Sequence, residues 1–493
     1  MLFSLLFLSC SEKEIGEKEP TINPEAITIT SDVLVDTFLG NGPQWGGYDI
    51  VPQWTGNASL SEVDWQTLFK RLDFMRPKFI RIMISAGWSY YADGKYDISK
   101  SEPILQKMLD YCQRNNINVQ FGEWGHQEKE GVIDEAWLND CANFLAYLVK
   151  DKGYSCIKYF TMVNEPNGDW SSIDGNYNKW SLLVENFYDK IAQLGIENSV
   201  EIMGPDVAVW TSSDAPWLTN SKKDLSKQLG AFDIHTYPNE NDVRSTSYSS
   251  LLDVYKASSD PSKMLVLGEL GLRYDPKGEL GKENTQRIIA DPYASTDSQM
   301  FVYDSFYGID VADATIQTMT AGYAGIIYWS LDDAMYNIDG GGSKELKRWG
   351  FWNILGEEVF ESAEDEQIRP WFYPISLMCR YFPTGTKIFD INLPKPVKSG
   401  LRCVAGALGD KHTIAIVNNS NQAHTFELRA NSIPFMSNVS EYRYIAKEGT
   451  EYDGAVDADG FALPFEENVS INLEKGEVFK LKPLSFMLLT NMK

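Results

Sequence analysis

The sequence predicts a (β/α)8 barrel followed by a carboxyl-terminal antiparallel β-sandwich. Three observations predict it. Strand-like apolar runs alternate with helix-like stretches from Asp36 to Asp333, the pattern changes after about residue 385 to short runs of alternating polarity, and 493 residues are enough for both units. Alternating strands and helices argue a parallel sheet with crossover helices, and eight such units in line favour a closed barrel over a doubly wound sheet. The doubly wound alternative needs GxGxxG after the first strand. GNGPQWGG is not that pattern and does not open a helix, and no P-loop is present.

The eight strands fall at 35–40, 79–85, 118–123, 157–164, 200–205, 232–235, 264–269 and 324–330. Runs such as 157–163 and 264–267 are apolar without alternation, as strands buried on both faces are. Between them, SEVDWQTLFKRLDFM opens with a Ser and carries an acid in its first turn, which predicts a capped helix. SEPILQKMLDYCQRNN has Pro103 in its first turn and apolar residues at helical spacing. RPWFYPISLMCRYFP reads as the eighth helix and closes the barrel near Thr384. Beyond it GLRCVAGALG, HTIAIVNNS, HTFELRAN, SEYRYIA, VSINLEKGE and VFKLKPLSFMLLT read as sandwich strands. The resulting division is 1–26 signal and tether, 27–383 barrel and 384–493 sandwich, with ITITSDVLVD before the barrel a candidate extra strand of the sandwich. His412 and His424 read as strand-surface residues.

Composition narrows the function classes. Forty-four Lys and Arg against sixty-nine Asp and Glu give a net charge of −25 with no basic cluster, which argues against nucleic acid as a partner. Fourteen Trp and twenty-five Tyr suit a neutral ligand that stacks, such as a sugar. After Cys10 there are Cys112, Cys141, Cys156, Cys379 and Cys403, with no CxxC pair, so no zinc site is indicated and a disulfide cannot be assigned. Neither a metal nor an organic cofactor is expected, and a monomer is.

Placed on the barrel, the polar and aromatic residues of interest fall on seven different strands, toward the face where barrel enzymes carry their chemistry. Arg81 lies on strand two; Glu123, Trp124 and His126 follow strand three; Asn164 and Glu165 end strand four; Asp206 and Trp210 follow strand five; His235 and Tyr237 end strand six; Glu269 ends strand seven and Trp329 strand eight. Two glutamates above an aromatic floor are what glycoside hydrolysis needs: one carboxyl protonated for the leaving sugar, the other ionised at the anomeric carbon. Strands four and seven lie roughly across the mouth from one another. That permits the separation of about 5 to 5.5 Å found in retaining enzymes.

This set resembles the clan A glycoside hydrolases over roughly residues 36 to 383. The resemblance implies that Glu165, in Asn164-Glu165-Pro166, is the acid/base, that Asn164 binds the sugar 2-hydroxyl, and that Glu269 is the nucleophile. It likewise implies that Arg81 supports the ionised nucleophile, that Tyr237 in His235-Thr236-Tyr237 lies beside it, and that Trp329 floors the subsite of the cleaved sugar. His126 is similar in position to a strand-three His of family 5. Glu123 and Trp124 are carried as substrate-binding candidates. NEPNGDW with the long helix after it resembles family 39, whereas the Arg and His-x-Tyr set resembles family 5. The expected substrate is a β-linked polysaccharide or its oligosaccharides. A surface glycan-binding protein without activity, or a transglycosylase using the same glutamates, are the alternatives.

The N-terminal MLFSLLFLSCSEKE begins with an apolar segment too short to span a bilayer and resembles a bacterial lipoprotein signal, with Cys10 the acylated residue. The acids after Cys10 resemble the surface-export signals of Bacteroidetes lipoproteins. A lipid-anchored protein of the outer membrane, periplasmic or surface-exposed, is therefore expected.

Overall fold

The computed structural model describes residues 26–48, 59–92, 95–99, 101–333, 346–394, 400–431, 433 and 435–493. The signal segment and Cys10 lie outside the described residues. Eight parallel strands form the barrel: Gly40–Pro43, Phe79–Ile84, Asn118–Glu123, Ile157–Thr161, Glu201–Met203, Leu229–Thr236, Leu265–Leu270 and Gly325–Tyr328. Each pairs with its sequence neighbour, the eighth pairs with the first, and a parallel bridge between Gln44 and Arg81 closes the ring between the first and second.

The first strand is displaced from the expected 35–40 to Gly40–Pro43. The apolar run Thr37 to Leu39 is the lead-in, whereas GNGP has none of the residues that favour strands. Space decides the matter. A Cβ on Gly42 would lie 1.9 Å from the carbonyl oxygen of Phe79, so only glycine lets this backbone reach the second strand. The seven other strands overlap their expected positions, and most of their residues are buried, Lys158 and Glu201 being exposed exceptions.

The helices follow their local signals. Ser61 caps Glu62–Met75, its hydroxyl accepting from Asp64 N at 3.2 Å while the Asp64 carboxylate accepts from Ser61 N at 2.5 Å. Glu102–Arg114 starts with Pro103, and Tyr177–Gln193 is capped by the Asn176 side chain. Phe372–Arg380 is the eighth helix. No helix among the described residues is long and apolar enough to cross a membrane.

The second unit is a mostly antiparallel sheet folded into a sandwich. Ala26–Val35 belongs to it, pairing antiparallel with Lys387–Asn392 and parallel with His424–Ala430, so residues 27–35 leave the barrel span to which they were assigned. Three central strands, Leu401–Leu408, Lys411–Asn418 and Ser485–Thr490, are buried on both faces, and period-two alternation separates the two environments. Cys403, Ala405, Ile414, Ile416, Met487 and Leu489 enter the sandwich core with Ile27 and Ile29. Val404, Ala415, Val417, Phe486 and Leu488 face the other way and join the barrel core. They cover the helix Ser305–Thr320, which is buried nearly all round as a helix between two layers must be. Its buried Asp310 is matched from both units, by Arg244 at 2.8 and 3.0 Å and by Asn419 at 2.8 Å. Cys112, Cys141, Cys156, Cys379 and Cys403 are all buried and unpaired.

Candidate active site

The site is built round one guanidinium. Arg81 is fully buried within the second strand, and its Nη1 donates to Glu269 Oε1 at 2.5 Å and to Gln44 at 3.2 Å. Its Nη2 donates to Asn164 Oδ1 at 2.9 Å and to Asp206 Oδ2 at 2.7 Å. One planar fork thus ties strand two to the ends of strands one, four, five and seven, which a lysine could not do. The other oxygen of Glu269 accepts the Tyr237 hydroxyl. Burial raises the Glu269 carboxyl above its ordinary value, and the pull of His235 and Arg81 offsets this only in part.

His235 is fully buried between three carboxylates. Its Nδ1 lies 3.0 Å from Glu165 and 3.6 Å from Glu269, and its Nε2 lies 2.9 Å from Asp206. Burial works against a charge there, but the carboxylates of Asp206 and Glu269 outweigh it and hold the imidazole well above its ordinary value. His235 is accordingly a cation that donates from both nitrogens. A Cβ on Gly268 would lie 3.1 Å from the His235 ring, so glycine beside the seventh strand's glutamate makes room for it. Burial would raise Asp206, yet Arg81 and His235 hold it well below the carboxylate range. Burial and the neighbouring Asp206 push Asp233 the opposite way. Asp233 accepts from Asp206 N at 2.7 Å and from Gln120 Nε2 at 2.8 Å.

Glu165 stands at the mouth, its side chain 14% exposed. Its backbone is left-handed, φ 47°, a conformation that costs a non-glycine residue about 1 kcal/mol or more and is held here by Glu165 N donating to Asp206 O at 3.0 Å. Oε2 accepts Trp170 Nε1–H at 2.8 Å. A carboxylate oxygen of Glu165, one of Glu269 and a nitrogen of His235 all lie within 4.8 Å of one another. Trp329 meets Trp124 edge to face at 6.1 Å, and Tyr237 meets Trp349 at 5.6 Å, forming an aromatic wall.

The structure brings together Arg81, Asn164, Glu165, His235, Tyr237, Glu269, Trp124 and Trp329. It does not bring Glu123 or His126. Gln120 faces the barrel axis, so Glu123, three residues on, has the opposite parity and turns to the helix layer, where it accepts from Ala86 N at 3.0 Å. His126 is held between loops, Nδ1 at 2.6 Å from Ser172 and Nε2 at 2.7 Å from Glu128, so neither nitrogen is offered to a ligand. Among residues that sequence reasoning left out of the site are Gln44, Gln120, Asp233, Trp170 and Trp349. Parity would have found Asp233, two residues before His235 on one strand. Trp349 carries no such signal, because it is placed by Asp333, which accepts from Trp349 N at 3.0 Å and is clamped by Arg369.

Glu123 carries a measurable consequence. Burial raises its carboxyl to about 8, so the folded protein holds a proton there that the unfolded chain releases near 4.5. Its contribution to stability is thus full below about pH 4.5, declines as the pH rises to about 8 and is level above. Glu123→Gln keeps the acceptor for Ala86 N without the ionisation. Urea unfolding is expected to show the variant gaining on the parent by a few kcal/mol between about pH 5 and pH 8, and a parallel pH dependence would refute this.

Glu165, His235 and Glu269, and likewise Asp206, Asp233 and His235, place three potential metal-ligand atoms within 4.8 Å. Neither set fits a cation well. Arg81 and His235 already supply two positive charges to these carboxylates, and both oxygens of Glu269 are occupied by Arg81 and Tyr237.

No protein-family model and no curated protein sequence matches the chain. Solved structures match along its length. A family 30 endoxylanase from Clostridium papyrosolvens superposes with a TM-score of 0.56 at 14% identity, covering 94% of this chain and 99% of that one. An α-L-arabinofuranosidase from Thermotoga maritima gives a TM-score of 0.61 at 12% identity, covering 94% and 99%. A conserved exported protein from Bacteroides fragilis gives 0.62 at 13%, covering 94% and 100%. At such identities the likeness is one of architecture, and it establishes that architecture for nearly the whole chain: a TIM barrel carrying a carboxyl-terminal β-sandwich.

Proposed function

We propose that the chain is a clan A glycoside hydrolase that cleaves β-linked polysaccharide or oligosaccharide with retention, through a glycosyl-enzyme. The observation that carries the proposal is a pair of carboxylates with one oxygen of each within 4.8 Å of the other across the barrel mouth, one buried and clamped by Arg81 and Tyr237, the other at the rim. Such proximity favours the spacing of about 5–5.5 Å found in retaining enzymes over the separation of about 6.5–9.5 Å at which inverting enzymes seat a water. Glu269, fixed on both oxygens, attacks the anomeric carbon while Glu165 gives a proton to the leaving oxygen. Glu165 then deprotonates the water that releases the sugar. Asn164, oriented by Arg81, is placed to bind the sugar 2-hydroxyl, and Trp329 with Trp124 floors the same subsite.

The likeness to glycoside hydrolases of known fold supports this reading, and so does the placing of Arg81 and His235 against Glu269. The family 5-like and family 39-like resemblances are kept within the same proposal. NMR of the first product formed from a β-glycoside is expected to show the β-anomer ahead of mutarotation, and an α-anomer would overturn the retaining mechanism. We further infer attachment to the cell envelope through an acylated Cys10, supported by the string LFLSC and testable by mass spectrometry of the amino-terminal peptide.

A further inference from the structure

The segments that follow strands five, six and seven and the helix Ser247–Ser258 line a cavity of about 580 Å3, within the range of sites that hold small organic ligands. Tyr237, Trp210, Asn239, Asp242, Leu251 and Arg273 are among its walls. Two chains of contact join it to the chemistry. Tyr237 donates to Glu269, and Trp210 meets Trp170 edge to face at 5.8 Å while Trp170 donates to Glu165 at 2.8 Å. These two indoles are 56% and 49% exposed, whereas Trp349, Trp352 and Trp371 are buried. Exposed indoles beside a carboxyl that must reach a leaving oxygen present a stacking face to whatever that oxygen belongs to.

The walls also state the charge of the occupant. Asp242 and Asp275 line the cavity, and its one guanidinium is already committed, since Arg273 pairs with Asp297 and stacks on Tyr237 and Trp349 at 5.3 Å each. Among the described wall residues the carboxylates of Asp242 and Asp275 outnumber this one guanidinium, which disfavours an acidic sugar.

We propose that Trp170, Trp210 and this cavity form the binding site for the leaving-group side of the substrate, and that they take uncharged sugar units. The proposal rests on the glycosidase reading and adds a specificity to it: the enzyme is selective for a carbohydrate leaving group, with Trp210 the residue that selects. A chain cleaved at Glu165 continues over the two indoles and into the cavity.

The test compares Trp210→Ala, and Ser250→Trp on the exposed helix wall of the cavity, with the parent protein. The substrates are tetraoses of β-1,4-xylose, β-1,4-glucose and β-1,6-glucose, each beside the aryl glycoside of the same sugar. On a cleaved tetraose, each variant is expected to lose about tenfold in kcat/KM, and to lose at least about fivefold less on the aryl glycoside. Equal losses on both, or none, overturn the proposal. If the parent cleaves nothing, the hydrolase reading fails by itself, and calorimetry with the same tetraoses judges the site. Binding by the parent that Trp210→Ala weakens about tenfold supports it. Binding that the substitution leaves alone, or no binding by the parent, overturns it.

Discussion

Glu269→Gln is expected to lower kcat by about four orders of magnitude or more on every substrate the parent cleaves, because an amide cannot form the glycosyl-enzyme. Folding is expected to survive. The carboxamide keeps the shape of the carboxylate and an acceptor for Arg81 Nη1, and Arg81 retains Asp206 as its counter-charge at 2.7 Å. Burial already raises the Glu269 carboxyl, which means that its charge costs stability in place, so a neutral side chain should hold or increase the melting temperature. A purified, folded variant with near-parental turnover would show that Glu269 is not the nucleophile. Small anions such as azide would be expected to restore turnover in Glu269→Ala with inverted product, since the vacated space lies on the face that the carboxylate attacks.

Arg81→Leu is expected to be the most damaging single change to the fold. It removes the guanidinium from two buried carboxylates at once, Asp206 and Glu269, leaves His235 to face both alone, and deprives Asn164 Oδ1 and Gln44 Oε1 of their donor. Breaking one buried pair in this way costs about 3–5 kcal/mol, and the loss here should reach the upper end of that range in urea unfolding near neutral pH. Arg81→Lys should fall between, as one ammonium cannot serve four acceptors. Activity should fall with either, and the acid limb of the kcat/KM profile should move up in pH because Glu269 loses an attraction that favours its ionised form. A loss under about 1 kcal/mol for Arg81→Leu would mean that the cluster is not organised around this residue.

Much of the barrel was legible because its strands are continuous apolar runs and its helices carry their own caps. Ser61 with Asp64 and Asn176 are local signals that the tertiary structure had no reason to override. The first strand was not legible, since Gly40–Pro43 is chosen by close approach to Phe79 and not by its own preference for a strand. Glu165 and Glu269 were legible from where their apolar runs stop. Glu123 has the same signal and a different fate, because one residue of parity separates the axis of a barrel from its helix layer. His126 failed for another reason: its partners Ser172 and Glu128 belong to loops whose course no periodicity reports.

The sequence by itself determined a (β/α)8 barrel with a sandwich behind it and named the two glutamates, since burial patterns and strand ends are properties of local runs. The tertiary structure alone decided what surrounds those glutamates. Only folding brings Arg81 against both Asp206 and Glu269, makes a cation of His235 by setting it among three carboxylates, and carries Trp170 from a loop onto Glu165. These are contacts between residues far apart in the chain, and in a buried, weakly screened setting their mutual distances fix charge and proton affinity more than the identity of any one residue does.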